Sequence, residues 1–347
     1  MKILHTADWH LDAPLQGHGP ALRQALEMVP GLILEVCRQE RCDLVLLSGD
    51  LFDGAYTSHT YQNLYNVLKE MAVPVFITPG NHDFCAPQSP WLQELWPDNV
   101  YIFKSAQIES VALPDLNARV YGAGFTGMDC PALLQDFRAD CTEQYAIGIF
   151  HGDPTQINSA YNPITKLQVE NSGLDYLALG HIHKSGAFRA ASTLCAWPGC
   201  PMGRGYDEPG EKGVYIVTLA ESATAEFRVL DTPRFYDLQA EPTALGSVLP
   251  PVEDGGYYRV TLTGTCEEPD LPALQAEFSH LPNLVLRDRT TRPVDVWGSL
   301  GEDSFEGVYF GLLKQALDAA PEEEKEEILL AAQISRALLA GQEVILP

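Results

Sequence analysis

The chain has 347 residues, 46% of them hydrophobic and 20% charged, with a formal net charge of −25. That apolar content excludes a disordered chain, and the length calls for one large domain plus something smaller. So acidic a protein has no global basic face for nucleic acid, so its substrate is small or binding uses metal ions, local patches or a basic partner. Part of the acidity is local, as in "PEEEKEE" (321–327). No apolar run approaches the ~20 residues of a bilayer span. His5, Asp8 and His10 break up "MKILHTADWH", so no signal peptide is expected and the cytoplasm is the predicted compartment. The eight cysteines (37, 42, 85, 130, 141, 195, 200, 266) form no CxxC pair and are expected to be reduced.

In chain order, the first 230 residues alternate between short apolar runs and helix-like stretches. "KILHTA", "DLVLLSG", "VPVFITPG", "ARVYGAG", "YAIGIFHG" and "LDYLALGH" have the length and β-branched content of strands. Helical spacing appears near 21–40, where Pro30 is an expected interruption, near 58–71 and near 163–172. From about 186 to 231 β signals such as "GVYIVTLA" and "TAEFRVLD" take over. That switch predicts an α/β class with mixed sheets rather than one doubly wound parallel sheet. Proline and glycine cluster in "PTALGSVLPPVEDGG", the mark of a linker. "YYRVTLTG", "DLPALQAEFSHL" and "NLVLRDRT" then read as a βαβ unit. Two amphipathic helices close the chain, with Phe305, Val308, Tyr309, Leu312 and Leu313 on one face. That stripe either docks a partner or packs on the chain itself. The predicted organisation is a main domain at 1–238, a linker at 239–256, a small α+β cap at 257–298 and a helical segment at 299–347.

The ends of the predicted strands carry one kind of residue. "TADWH" supplies Asp8 and His10, "LLSGDLFD" supplies Asp50, and "TPGNHDF" supplies Asn81, His82 and Asp83. "GIFHGD" supplies His151, and "LALGHIHK" supplies His181 and His183. In an extended backbone residues i and i+2 project to one side, so the last two imidazoles are expected to aim at the same point. Singly, each is ordinary turn chemistry; together, five strand ends make a site. Carboxylate, carboxamide and imidazole without thiolate suit Mn²⁺, Fe²⁺ or Zn²⁺. Two such ions ~3.5–4 Å apart can clamp a phosphate and polarise a bridging water into a nucleophile. One carboxylate must then be shared, and Asp50, mid-series on its own strand, is the candidate.

"DWH", "GDLFD", "GNHD", "FHGD" and "GHIH", in this order, resemble the five signature motifs of the calcineurin-like metallophosphoesterases. The resemblance implies an αββα sandwich of two mixed β-sheets. It implies two divalent ions, Mn²⁺ as first expectation and Fe²⁺ or Zn²⁺ as alternatives. By motif position, Asp8, His10, Asp50 and His183 hold one ion, and Asp50, Asn81, His151 and His181 hold the other. His82 matches the family's non-ligand histidine, which contacts the phosphate and protonates the leaving oxygen, with Asp83 orienting its ring. Asp53 is expected either to support the ligands from behind or to be a turn residue.

"ILHTADWHLDAPL", "LALGHIHK" and "WPGCPMGRGYDEPGEKGVY" are further similar to bacterial DNA repair nucleases of the SbcD and YhaO type. That likeness implies a 3′→5′ DNA exonuclease, with endonuclease action an option, working in double-strand break repair. Its implied partners are DNA, a coiled-coil ATPase subunit of the SbcC type and, as in related nucleases, a second copy of the chain. Arg259, Arg287, Arg289 and Arg292 are the candidate DNA contacts in the cap, although exposed strand arginines look the same. No GxxxxGK[ST] phosphate loop occurs, so ATP hydrolysis by that route is not expected. Two rival readings are a phosphodiesterase of cyclic nucleotides or nucleotide-sugars, and a catalytically silent scaffold subunit.

Overall fold

The computed structural model describes residues 1–15, 17, 19–293 and 295–341. From the start it runs β1 (Lys2–Thr6), α1 (Pro20–Glu40), β2 (Leu44–Leu47), α2 (Ser58–Met71), β3 (Val75–Ile77), α3 (Pro90–Gln93) and β4 (Val100–Ile102). Next come β5 (Glu109–Leu113), β6 (Ala118–Gly122), β7 (Tyr145–His151), α4 (Lys166–Asn171) and β8 (Tyr176–Gly180). The strands β9 (Gly186–Ala190), β10 (Thr193–Trp197), β11 (Gly213–Leu219) and β12 (Ala223–Val229) follow with no helix between them. The remaining elements are β13 (Phe235–Ala240), α5 (Leu245–Val248), β14 (Tyr257–Leu262), α6 (Leu271–Glu277), β15 (Leu284–Asp288), α7 (Phe305–Ala319) and α8 (Glu322–Leu339).

Two compact units divide the chain: Met1–Asp237 with Glu253–Arg259, and Leu238–Val252 with the chain from Val260 onward. The first holds two six-stranded sheets, ordered β12-β11-β1-β2-β3-β4 and β5-β6-β7-β8-β10-β9. In the first sheet β1 to β4 are parallel, β11 runs antiparallel to β1, and β12 runs antiparallel to β11. In the second, β6, β7, β8 and β10 are parallel while β5 and β9 are antiparallel. Successive strand residues face opposite sides. Ile3, Leu44, Leu46 and Phe76 meet Val120, Ile147, Ile149 and Ala178 in a core shared by the sheets. Their neighbours Leu4, Val45, Leu47 and Ile77 pack with Leu26 and Ile33 of α1 and Leu64 and Leu68 of α2. On the second sheet Ala146, Leu177 and Leu179 pack with Val169 of α4. The layering is αββα with mixed sheets, the expected fold class.

The helix α1 runs unbroken through Pro30. A proline inside a helix costs about 3 kcal/mol. Leu22, Leu26, Val29, Ile33, Leu34 and Cys37 are all buried on the same helix, and that burial outweighs the lost hydrogen bond.

A polar tie crosses the shared core. His5 is fully buried, and its ring nitrogens hydrogen-bond the Tyr176 hydroxyl of β8 at 2.7 Å and the Ser48 hydroxyl beyond β2 at 2.6 Å. Burial lowers its pKa from 6.5 to about 3. Between those values the unfolded chain binds the proton and the folded chain refuses it, so stability is full above pH 6.5 and falls as the pH drops toward 3. The slope approaches about 1.4 kcal/mol per pH unit. We expect His5→Gln to shrink the stability loss between pH 6.5 and pH 5 by about 2 kcal/mol, read from urea midpoints. Equal losses in both proteins would contradict a neutral buried His5.

In the second unit the ends of β13 and β14 join β15 in a sheet of order β13-β14-β15, with α6 between β14 and β15 in the chain. Residues 239–256, expected as a linker, hold the end of β13, a short 3-10 turn and α5. Leu245 and Leu249 are buried there, which ties a Pro- and Gly-rich stretch into the fold. The expected stripe on α7 is split. Tyr309 and Leu313 pack against Val296, Phe310 and Ala332, whereas Phe305, Val308 and Leu312 are exposed. No helix among the described residues is long and apolar enough to cross a membrane.

Candidate metal centre

The polar strand ends come together. Asp8 and His10 follow β1, Asp50 follows β2, Asn81 and His82 follow β3, His151 ends β7, and His181 and His183 follow β8. The loops interlock through their backbones, Asp8 N–H donating to Gly49 O and His10 N–H to Asp50 O, both at 3.0 Å. Asp8 (φ 55°), His10 (φ 47°), Asp50 (φ 52°) and His181 (φ 97°) all adopt the left-handed region. Four non-glycine residues in so sparse a region mark strain gathered where side chains must be aimed. Gly49 has φ +95°, and a Cβ there would lie 2.3 Å from His151 Nδ1, so only glycine lets that imidazole approach.

Asp8, His10, Asp50 and His151 are almost wholly buried. Ligand-type atoms of Asp8, His10 and His183 cluster together, as do those of Asp8, Asp50 and His151. Asp50 Oδ2 lies 3.8 Å from His10 Nε2 and 3.3 Å from His151 Nε2, between the two groups. Asn81 Oδ1 lies 2.9 Å from His151 Nε2 and 3.2 Å from His181 Nδ1.

The hydrogen bonds behind the histidines determine what faces inward. His10 Nδ1 meets Asp53 Oδ1 at 3.0 Å and His183 Nδ1 meets Glu208 Oε1 at 2.6 Å. An ionised carboxylate only accepts, so both Nδ1 atoms carry the hydrogen, and each ring when neutral presents an Nε2 lone pair. Those two Nε2 atoms are 3.2 Å apart. His151 likewise donates from Nδ1 to Ser48 O at 2.9 Å, turning its other nitrogen toward Asp50. Acceptors converge on acceptors, and only cations or protons between them reconcile that.

Protonation answers part of the conflict. Against the effect of burial, the Asp50 carboxylate pushes His151 up to about 9. Burial draws His10 down, and burial with the neighbouring His151 takes His181 to about 4, so these two stay neutral. Burial opposes ionisation of Asp50, yet His151, His10 and His82 hold it well below the usual carboxylate range. The donors are nitrogen and oxygen without thiolate, and they fit hard-to-borderline divalent ions.

Two expectations need correction. His181 and His183 are not aimed at one point by an extended strand, because β8 stops at Gly180 and His181 turns to positive φ. The His181 N–H donates to the Asp8 carboxylate at 2.9 and 3.1 Å, which fixes that turn. The rings diverge, His181 lying beside His151 and His183 beside His10. Asp83 does not orient His82 either. Its oxygens accept from the backbone N–H of Gly80 (2.7 Å), Leu51 (2.8 Å) and Phe52 (3.3 Å), clamping two loops. Asp53 orients His82 instead, its Oδ1 lying 2.9 Å from His82 Nδ1. The same oxygen serves His10, so Asp53 ties His82 to the buried cluster. That hydrogen bond raises the His82 pKa, while the ring itself is exposed.

The candidate DNA contacts differ among themselves. Arg259 makes a paired hydrogen bond to Asp237 (2.9 and 2.6 Å) and covers the Tyr206 ring at 4.5 Å. Arg292 is exposed and paired with Glu268 at 3.0 Å. Arg287 and Arg289 are exposed at the end of β15. Sequence reading assigned no role to Glu208 and Arg204, which stand behind His183. The signal was present, since both lie in the "GRGYDEPGEKG" stretch.

A model of the calcineurin-like phosphoesterases matches residues 1–185. The chain is similar to the metallophosphoesterase YhaO of Bacillus subtilis (strain 168), with 30% identity over 234 residues, covering 62% of this chain and 57% of that protein. It therefore spans little more than half of that relative's length. Among solved structures it is similar to TT1561 of Thermus thermophilus, at 14% identity and a TM-score of 0.40, covering 65% of this chain and 98% of that one. It is also similar to a dimetal phosphatase from Danio rerio, at 13% identity and a TM-score of 0.44, covering 66% and 96%.

Proposed function

The chain belongs to the calcineurin-like phosphoesterase family, and from that premise we propose that it hydrolyses phosphodiester bonds in DNA, using two divalent cations held at the strand ends. The observation that carries the metal reading is the convergence of the His10 and His183 Nε2 atoms, 3.2 Å apart, with Asp50 between them and His151. In this reading Asp8, His10, Asp50 and His183 hold one ion, and Asp50, Asn81, His151 and His181 hold the other. Two divalent ions, Mn²⁺ by first choice, supply charge stabilisation for the phosphate and a water acidified for attack. His82, exposed and kept basic by Asp53, donates a proton to the departing sugar oxygen.

DNA as substrate, with 3′→5′ polarity, rests on the likeness of "DWHLDAPL" and "GRGYDEPGEKG" to the SbcD and YhaO type. Arg287 and Arg289 are the phosphate contacts this reading favours. An SbcC-type ATPase seated on Phe305, Val308 and Leu312, possession of a homodimeric form, and a cytoplasmic setting in double-strand break repair belong to the same proposal. The net charge of −25 and the engagement of Arg259 and Arg292 by carboxylates favour a second reading, hydrolysis of small phosphodiesters.

The test is a comparison of 3′-labelled linear duplex DNA with cyclic nucleotides and nucleotide-sugars, using the Mn²⁺-loaded chain. The DNA reading expects release of nucleotides from DNA at least about a hundredfold faster than small-substrate turnover, a difference of about 2.7 kcal/mol in barrier. The reverse preference would replace it with the second reading. Failure to retain any ion after Mn²⁺ dialysis would sink the metal centre and leave the silent scaffold.

A further inference from the structure

The stretch from Pro198 to Gly213 wraps one ligand-type residue, His183. Gly199 has φ +76°, and a Cβ there would lie 2.4 Å from the His183 carbonyl oxygen. That oxygen accepts from Cys200 N–H at 3.3 Å and lies 3.5 Å from Lys212 Nζ. The ring is held from the same stretch, with Glu208 Oε1 2.6 Å from His183 Nδ1. Arg204 then fastens the carboxylate. Its Nη2 donates to Oε1 at 2.7 Å, and its backbone N–H and Nε donate to Oε2 at 2.9 and 3.3 Å. The Glu208 side chain is 7% exposed, so it meets little competing water.

Four bonds on two oxygens leave this carboxylate no freedom to turn. An imidazole alone swivels about its Cβ–Cγ bond and exchanges tautomers. A fixed acceptor on Nδ1 removes both freedoms and makes Nε2 a stronger donor to a cation. Arg204 offsets the carboxylate's charge in its buried position.

We propose that Glu208 is the positioning residue for His183 and that Arg204 locks it, so that the 198–213 stretch sets the affinity of the ion site built from Asp8, His10, Asp50 and His183. This rests on the metal reading above. It explains why "PG…GR…E.GEKG" accompanies "GHIH" in this chain although it holds no ligand.

The experiment uses the full chain stripped with EDTA, titrated calorimetrically with Mn²⁺ alone, with the metal-free melting temperature as a control for folding. Glu208→Ala should weaken one of the two ions about 10- to 100-fold and leave the other within about threefold. Glu208→Gln keeps an oxygen that accepts from Nδ1–H and should recover most of the loss. With Co²⁺ in place of Mn²⁺, the visible bands should move in Glu208→Ala and hardly in Glu208→Gln. Should Glu208→Ala not fold, Arg204→Ala frees the carboxylate without removing it and should weaken the same ion about tenfold. Wild-type affinity for both ions in a folded variant overturns the proposal. So does a matched loss of both ions and of metal-free melting temperature, the mark of a merely structural role. A wild-type chain that binds no Mn²⁺ instead overturns the metal reading itself.

Discussion

Replacing Asp50 with asparagine is expected to abolish hydrolysis and to cost the metal-free fold part of its stability. Asp50 Oδ2 sits 3.3 Å from His151 Nε2 and 3.8 Å from His10 Nε2, and Oδ1 accepts the His82 N–H at 2.8 Å. The side chain is 1% exposed. Asparagine keeps an oxygen for the His82 N–H and turns an uncharged N–H₂ toward the His151 and His10 ring nitrogens. In the metal-free protein that substitution breaks the buried ion pair in which the Asp50 carboxylate holds His151 protonated, which destabilises the fold. A loss of 1 kcal/mol would lower the melting temperature by about 2–4 °C in a unit of this size. In the loaded protein the same change removes the carboxylate that the proposed function has shared between two cations. We expect loss of at least one Mn²⁺ by elemental analysis and a fall in turnover on the order of 10³-fold or more, comparable with deleting a principal electrostatic group. A variant that keeps both ions and a tenth of the turnover would refute a shared role for Asp50.

Contacts of this kind, made between distant segments, also explain which features were legible in the sequence. The α/β class with mixed sheets was readable because strands covered on both faces appear as short continuous apolar runs, and "DLVLLSG" and "LDYLALGH" are such runs, whereas the αββα layering was implied only by the family resemblance. The candidate ligands were readable because parallel strands deliver their C-terminal ends to loops, where Asp8, Asp50, Asn81 and His151 interrupt apolar sequence abruptly. The arrangement behind those residues was not readable. Asp53 and Asp83 are both aspartates near His82, and local sequence favours the adjacent one. The choice falls to Asp53 because Asp83 is already taken by three backbone N–H groups of two loops. The positive φ of His181 was hidden for a similar reason. It depends on the Asp8 carboxylate, 173 residues away in sequence. Pro30 inside α1 misled locally, since the helix survives through buried contacts that propensity ignores.

Asp53 and His82 provide the second large effect, and a double-mutant cycle separates the two tasks of one oxygen. Asp53 Oδ1 lies 2.9 Å from His82 Nδ1 and 3.0 Å from His10 Nδ1. Its pKa falls below the usual carboxylate range because His10 and then His82 hydrogen-bond it, so it is ionised at neutral pH. With His82 as the proposed proton donor and DNA as the proposed substrate, His82→Gln should lower turnover about 10²- to 10⁴-fold. On an aryl phosphodiester the leaving oxygen is a weak base and needs little proton, so the deficit there should shrink to about tenfold. Asp53→Asn removes the charge that raises His82, and the alkaline limb of the turnover profile, where the donor is deprotonated, should move to lower pH. In the Asp53→Asn, His82→Gln protein that shift has nothing left to act on. Any further fall beyond His82→Gln alone then measures the Asp53 hydrogen bond to His10, and it should appear as weaker Mn²⁺ binding rather than a slower proton transfer. Full additivity in turnover with unchanged Mn²⁺ affinity would show that Asp53 and His82 act independently, and His82 would then need another orienting group.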